Sequence, residues 1–187
     1  MRSAIIAAMC VLLFSLPAGA REIEDVDVAE EIAQADGTTL HLNGAGIRSK
    51  FFFDIYIAAL YLGKTSSEVS EVIGNDGGKR MVMHFLYDEV EKDDLVEAWN
   101  DGFEGNGTAQ QLAELSDQIT AFNALFDTVK EGDRIILDYI PGVGTSVAIR
   151  GEQKGVVAGK PFNDLLLSIW LGKKPVGKNL RDDLLGK

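Results

Sequence analysis

An arginine, Arg48, lies inside a block of mainly small, aromatic and aliphatic residues at positions 42–62. A guanidinium in apolar surroundings is costly unless an anion or several hydrogen-bond acceptors satisfy it. The chemistry that this residue offers is therefore neutralisation of an anionic group on a bound molecule. Two other arrangements are open: Arg48 pairs with a carboxylate of its own chain, or its stem lies on the sheet with its charged end in water.

Tyr56 is the second candidate, because its hydroxyl could donate a hydrogen bond to the same bound group. It follows Arg48 by eight residues, and an even separation places two side chains on one face of a regular strand. At ~3.3 Å per residue the two would still lie about 26 Å apart, too far to share one group. A bend or turn near Ser49 and Lys50 is therefore required. Alternatively, Tyr56 packs in the core with its hydroxyl at the edge.

The strands that would position these residues are predicted from composition and turn signals. Residues 42–62 are rich in Phe, Ile, Tyr and Leu, which favours one long strand over a helix. Asp36-Gly37 and the Pro-Gly-Val-Gly run at 141–144 predict hairpin turns. A further short strand is expected near residues 155–157.

Helices are predicted between and after these strands. Apolar residues recur at helical spacing over 92–103 and again over 108–126, where Thr108 and Gln111 predict a capping box. Two more helices are expected at the C-terminus. Strands joined by short turns, with helices grouped between and after them, predict an α+β fold in which a helical layer covers one face of an antiparallel sheet.

The N-terminus has the pattern of a targeting segment over residues 1–20. A positive start is followed by an apolar run and a small-residue cleavage site, Ala18-Gly19-Ala20. Removing these 20 residues from 187 leaves 167, which corresponds to one domain over 21–187. Cys10 falls in the segment, so the mature chain would lack cysteine. We expect export to the periplasm, with no transmembrane segment in the mature chain.

Net charge and motif content exclude several function classes. The formal charge of −11 becomes −12 without Arg2, which argues against nucleic acid or an anionic membrane face as partner. His41 and His84 are the only histidines and show no metal-binding spacing. The glycine clusters suit turns and lack the context of a phosphate loop. We therefore expect no metal ion and no other cofactor.

Two sequence segments resemble the chalcone isomerase-like superfamily. The first is Gly-Ala-Gly-Ile-Arg at 44–48 followed by Tyr-x-Ala-Ala-x-Tyr-Leu at 56–62. The second is Pro-Phe-Asn-Asp-Leu-Leu at 161–166, which continues into Ser-Ile-Trp-Leu-Gly at 168–172. The chain is most similar to the bacterial, exported branch. This resemblance implies the open-faced β-sandwich of that superfamily, with a ligand cleft between sheet and helices.

The resemblance also implies roles for particular residues. In the superfamily an arginine at the position of Arg48 faces the cleft, where it binds a substrate oxygen in plant isomerases and a carboxylate in fatty-acid binders. Tyr56 matches the tyrosine of the binders, whereas the isomerases carry threonine there. Asn100 lies near a ligand-contacting asparagine of the isomerases, although it could equally be a polar surface residue. Residues 89–94 lack the tyrosine that precedes this helix in the isomerases.

Three hypotheses follow. The leading one is an exported, non-enzymatic binding protein for a fatty-acid-like molecule, whose anionic end meets Arg48. The second is an intramolecular lyase or isomerase of the chalcone isomerase type, with Arg48 as the electrophilic residue. The third is a structural or interaction module of the cell envelope, whose cleft is filled by its own side chains. A lined cavity beside Arg48 would favour the first two, and a solid core would favour the third.

Overall fold

The computed structural model describes residues 20–187. The predicted targeting segment therefore lies outside the described residues, apart from Ala20, and stays a prediction. Among the described residues, no helix is both long and apolar enough to cross a membrane.

An antiparallel seven-stranded sheet forms the centre of the fold, which confirms the predicted α+β class. The strands are β1 (Ala20–Ile23), β2 (Val26–Ala29), β3 (Glu31–Ala33), β4 (Thr39–Lys50), β5 (Phe53–Leu62), β6 (Lys79–Phe85), β7 (Glu89–Val90), β8 (Val129–Lys130), β9 (Arg134–Ile140), β10 (Gly144–Ile149) and β11 (Glu152–Val157). The order across the large sheet is β11-β10-β9-β6-β5-β4-β3, and β1 with β2 and β7 with β8 form two small ribbons.

Six helices accompany the described strands. They are α1 (Val69–Gly74), α2 (Lys92–Asn106), α3 (Ala109–Glu114), α4 (Ser116–Asn123), α5 (Lys160–Leu171) and α6 (Lys178–Leu184). Thr108 and Gln111 form the predicted capping box. The helix predicted over 108–126 is instead interrupted at Leu115, whose φ of −105° and ψ of 11° lie outside the helical range and separate α3 from α4.

Side-chain alternation along β5 divides the core between the two faces of the sheet. Tyr56, Ala58 and Leu60 belong to the main apolar cluster beneath the helices, where α5 packs against α2, α1 and β10. Ile57 and Ala59 point to the other face, where a second cluster includes side chains of the β1–β2 ribbon. Because successive side chains of a strand point to opposite faces, β5 contributes to the apolar clusters on both faces of the sheet.

The single strand predicted over 42–62 is wrong, because the structure divides this block into the β4–β5 hairpin. The chain reverses at Phe51 and Phe52, and Phe51 takes a φ of +57°. Glycine, asparagine and aspartate are the usual signals for such a turn, and none of them is present at this one. The run of aromatic residues therefore has the sequence pattern of a strand at the position where the structure has a turn.

Two glycines on β4 provide the surface on which α6 lies. A Cβ atom at Gly44 would overlap the carbonyl oxygen of Asp183 and lie 2.8 Å from the carbonyl carbon of Leu184, while one at Gly46 would meet the Asp183 side chain. The missing side chains thus let α6 approach β4 closely. This contact fixes the helix over the strand that carries Arg48, two residues farther along the same face.

We predict that Gly44→Ala lowers the free energy of unfolding by about 1–3 kcal/mol, because the backbone of α6 must move to admit the methyl group. Urea unfolding followed by circular dichroism measures this loss. Gly74→Ala is the matched control, since a Cβ atom there meets nothing within 4 Å. Equal stability of the Gly44→Ala variant and the unsubstituted protein would contradict the proposed close contact.

Candidate ligand-binding groove

The hairpin brings Arg48 and Tyr56 together. They are direct cross-strand partners in the β4–β5 register, so their side chains emerge side by side on the helical face of the sheet. The turn after Lys50 supplies the change of direction that their eight-residue separation requires. The structure therefore places these two predicted site residues next to each other.

Arg48 has no carboxylate partner among the described residues. Its guanidinium donates a hydrogen bond to the carbonyl oxygen of Ser49. The half-buried side chain passes beside Gly177, where a Cβ atom would lie 3.9 Å from Cδ of Arg48 and 4.0 Å from Nη1. One backbone acceptor leaves most of the five N–H donors of the guanidinium available. The positive charge can therefore be neutralised by a bound anion.

Tyr56 is buried, and its hydroxyl oxygen accepts a hydrogen bond from Nε1 of Trp170 over 3.1 Å. Burial raises the pKa of Tyr56 to about 12, although the Trp170 hydrogen bond and the charge of Arg48 act in the opposite direction. The hydroxyl is therefore neutral at physiological pH and keeps its proton. No side chain or carbonyl of the described residues accepts that proton, so Tyr56 can donate it to a ligand.

Trp170 holds Tyr56 in place from α5. The indole is fully buried, and its ring lies 5.7 Å from the ring of Trp99 on α2. Trp99 in turn contacts Phe122 and Phe126, which belong to a continuous cluster of aromatic rings. A close-packed aromatic core of this kind leaves the indole few alternative orientations. The orientation of the Tyr56 hydroxyl is thus set by the packing of the helical layer.

A groove of about 690 Å³ opens beside Arg48 and Tyr56. Its apolar lining comes from the hairpin, from β6 and the residues after it, from the start of α2, and from the segment after α5. Cationic side chains reach it from the hairpin and from that last segment, and acidic ones come mainly from α2. The apolar lining residues are Phe51, Phe53, Ile55, Phe85, Tyr87, Val90, Leu95, Ala98 and Val176; the other cations are Lys50 and Lys174; the acids are Glu89, Asp94, Glu97 and Asp101.

Asn100, the third predicted site residue, is not brought to this groove. The residues of α2 that line it form one helical stripe, at positions 94, 95, 97, 98, 101 and 102, and Asn100 lies off that stripe. Its side-chain oxygen accepts a hydrogen bond from Nδ2 of Asn123 on α4 over 2.8 Å. The position of Asn100 in the fold thus gives its predicted ligand contact no support.

Sequence reasoning missed the acidic stripe of α2 and the two groove residues after α5. The stripe was visible as acids and alanine at helical spacing, but nothing in the sequence showed which face of α2 meets the hairpin. Lys174 and Val176 carry no local signal, because only the path of the chain between α5 and α6 brings them to the groove. These residues reach the groove only through tertiary contacts, which no local sequence pattern predicts.

A second cavity of about 620 Å³ lies at the opposite end of β5, between Leu62 and Lys79. Lys79 is buried there, donates a hydrogen bond to the carbonyl oxygen of Asn75 and lies 4.8 Å from the ring centre of Tyr139. Desolvation by burial, with the charge of Lys160, lowers the pKa of Lys79 to about 8. Its ammonium group satisfies the end of α1, which is a structural role. Among residues 20–187, no group of three or more His, Cys, Asp or Glu side chains could hold a metal ion.

Comparisons with known proteins agree with this architecture. A family described as chalcone isomerase-like matches residues 20–186. No curated protein matches the chain. The crystal structure of a fatty-acid binding protein from Arabidopsis thaliana is similar, with a TM-score of 0.63 and 17% sequence identity, and the match covers 83% of this chain and 96% of that one. At this identity the structural similarity establishes a shared fold.

We predict that Tyr56→Phe lowers the free energy of unfolding at neutral pH by about 1–3 kcal/mol, because the buried indole N–H of Trp170 loses its acceptor. As pH rises from 10 toward 12, the unfolded protein releases the tyrosine proton before the folded protein does, so the original protein loses stability that the variant does not. The difference in free energy of unfolding between the two proteins should therefore decrease with rising pH, as measured by urea unfolding at a series of pH values.

Tyr87→Phe is the control for this series. Tyr87 is 36% exposed, and its hydroxyl makes no hydrogen bond to any described residue. Its removal should leave stability unchanged at neutral pH. A Tyr56→Phe variant as stable as the Tyr87→Phe variant would contradict the structural role of the Trp170 bond.

Proposed function

The chain belongs to the chalcone isomerase-like family, and on that premise we propose that it is a non-enzymatic binding protein for a mostly apolar molecule with one anionic end, such as a fatty acid. The observation that carries this proposal is the pairing of Arg48, which has no carboxylate partner among the described residues, with the neutral hydroxyl of Tyr56 at an apolar groove. One group supplies charge and the other a hydrogen bond to the same head group.

The two ends of such a ligand contribute differently to the binding free energy. A charge-assisted hydrogen bond contributes about 1.5–3 kcal/mol, and each buried methylene contributes about 0.8 kcal/mol. An acyl tail of several methylenes therefore provides most of the affinity, and Arg48 determines the orientation. A groove of about 690 Å³ is within the range of roughly 300–1,000 Å³ that is usual for small-molecule sites.

Charges around the groove support a single orientation of the ligand. Arg48 and Lys50 lie on the hairpin, whereas Asp94, Glu97 and Asp101 line the groove from α2. An anionic head group is attracted by the hairpin and repelled by the helix. The uncharged tail carries no such penalty next to α2. We therefore place the head group at Arg48 and Tyr56 and the tail along the apolar lining.

The ligand class is chosen on chemical grounds and by analogy. The similar Arabidopsis protein is described as a fatty-acid binding protein, which makes a fatty acid the natural first ligand to test. Fold similarity by itself does not transfer a ligand from one protein to another. Arg48, Tyr56 and the groove are therefore the features of this chain that support fatty-acid binding.

Family membership also supports a second candidate, an intramolecular lyase or isomerase in which Arg48 stabilises a developing oxyanion. The missing tyrosine in residues 89–94 counts against it. Incubating the purified protein with a chalcone and measuring flavanone formation separates the candidates, since sustained turnover would favour the enzyme. The open groove counts against the third hypothesis, a cleft filled by its own side chains.

We predict that Arg48→Ala weakens fatty-acid binding at least about tenfold, the ratio that corresponds to 1.4 kcal/mol, because the carboxylate loses its charge partner. Titration of a fluorescent fatty acid measures this change. Arg134→Ala is the matched control, because Arg134 is exposed and its Nε donates a hydrogen bond to His84 away from the groove. Unchanged affinity in the Arg48→Ala variant, with tight binding by the original protein, would rule out the proposed head-group site.

We also propose export to the periplasm, on the basis of the targeting pattern in residues 1–20. Expression of the full chain in a Gram-negative host should yield a periplasmic protein whose first residue is Arg21. Cell fractionation followed by N-terminal sequencing measures both properties. An uncleaved protein confined to the cytoplasm would contradict this proposal.

A further inference from the structure

Three consecutive phenylalanines form the exposed tip of the β4–β5 hairpin. Phe51 is 87% exposed, Phe52 is 99% exposed and Phe53 is 55% exposed. The ring of Phe53 makes an edge contact with Tyr87, which is itself partly exposed, at 5.6 Å between ring centres. Single exposed apolar residues are common on protein surfaces, whereas a contiguous aromatic patch indicates an interaction site.

The backbone makes this tip project from the sheet. On one side, β6 pairs with β5 as far as Tyr56, and the backbone N–H groups of the next residues, Leu86 and Tyr87, donate to the carbonyl oxygen of Ile55. On the other side, β3 pairs with β4 only at residues 39–41. The tip therefore extends beyond both neighbouring strands. A 2.6 Å hydrogen bond from Ser49 Oγ to Asp54 Oδ1 joins the two strands at the base of the tip.

Turn formation does not explain these aromatic residues. Phe51 has a φ of +57°, a conformation in which glycine, asparagine and aspartate are the favoured residues. A phenylalanine at this position adds strain without a contribution to the core, since its ring is exposed. Phe51 and Phe53 also line the groove, but Phe52 neither lines it nor belongs to the core, so the aromatic ring of Phe52 calls for a partner outside the chain.

The shape and charge of the tip identify the kind of partner. A stable protein interface buries about 800 Å² on each side, more than a projecting tip of three residues provides. Aromatic side chains on a narrow projection can instead enter the headgroup region of a bilayer. Lys50 and Asp54 flank the tip with one positive and one negative charge, which matches the phosphate and the amine of a zwitterionic lipid. The overall charge of −11 disfavours an anionic surface.

We propose that the hairpin tip docks on zwitterionic lipid bilayers by inserting Phe51, Phe52 and Phe53 among the headgroups. Phe51 and Phe53 also line the groove beside Arg48, so docking places the groove opening at the bilayer surface. If the proposed function holds, a fatty acid passes between bilayer and groove without crossing bulk water. Docking itself does not depend on that ligand.

Phe52→Glu tests the proposal directly. Phe52 is 99% exposed and does not line the groove, so the substitution removes an inserted ring without affecting the core or the ligand site. In flotation with phosphatidylcholine vesicles, the fraction bound should fall at least about tenfold, because a carboxylate resists transfer into the interface. The binding of the original protein should be insensitive to salt, and vesicles containing phosphatidylglycerol should bind it no better.

Val143→Glu is the matched control. Val143 is 52% exposed in the turn between β9 and β10, at the opposite end of the sheet. This variant changes the net charge equally and should float like the original protein. If Val143→Glu lost as much vesicle binding as Phe52→Glu, the proposal would be overturned, because the effect would then reflect the overall charge.

Phe52→Trp reports on insertion itself. The two native tryptophans are buried, at 3% and 0% exposure, so a third one at the tip supplies the solvent-sensitive emission. Vesicles should shift this emission to shorter wavelength, and lipids brominated near the headgroup should quench it. An unchanged spectrum together with unquenched emission at saturating lipid would overturn the proposal.

Two further measurements separate this inference from its rivals. Light scattering without vesicles should show the same mass for the original protein and Phe52→Glu; a dimer that this variant dissociates would assign the tip to self-association and overturn the proposal. In vesicle-free titration, Phe52→Glu should bind fatty acid normally, whereas Arg48→Ala should still bind vesicles. Failure of the ligand site and failure of membrane docking are therefore distinguishable.

Discussion

The register of the β4–β5 hairpin is the constraint on which the candidate site depends. Arg48 and Tyr56 are close enough to bind one group only because they are paired directly across the two strands. A slip of one residue would turn either side chain to the opposite face of the sheet. Close packing of α6 on Gly44 and Gly46 opposes such a slip on β4. The Trp170 hydrogen bond to Tyr56 opposes it on β5.

The charges around Arg48 and Tyr56 determine what kind of group this pair can bind. The chain carries a strong negative charge, and its ion pairs among the described residues leave Arg48 without a carboxylate. Tyr56 is buried enough to remain neutral, so it adds a donor without adding a second charge. Under the proposed function, the unpaired guanidinium of Arg48 beside a neutral donor selects an anion that can also accept a hydrogen bond. The acids of α2 then restrict where on the ligand that anion can be.

The sequence predicted the parts of the fold that depend on local patterns. The antiparallel sheet, the helical layer and the capping box at Thr108 follow from periodicity and turn chemistry. The turn at Phe51 and Phe52 has no local signal, because its residues have strand propensity and one of them adopts a strained φ; a bend near Ser49 and Lys50 was predicted only as a requirement for Arg48 and Tyr56 to share a site. The bond between Trp170 and Tyr56 joins residues 114 positions apart, and no local pattern encodes that contact. Asn100 was assigned by its approximate place on a helix, but its direction depends on how α2 is rotated against its neighbours.

The turn at Phe51 and Phe52 is also where the local rules and the structure disagree most, and such disagreements tend to mark function. In the strands of the hairpin, Arg48 and Tyr56 lie on the helical face of the sheet, and at the tip all three phenylalanine rings are exposed, that of Phe52 almost completely. The strain at Phe51 and the exposure of three rings both reduce stability or solubility, and neither supports the core. The acidic surface offsets the solubility cost, because net charge keeps copies of the protein apart. A conformation that the fold itself does not require is explained most directly by the bilayer docking that we propose for the hairpin tip.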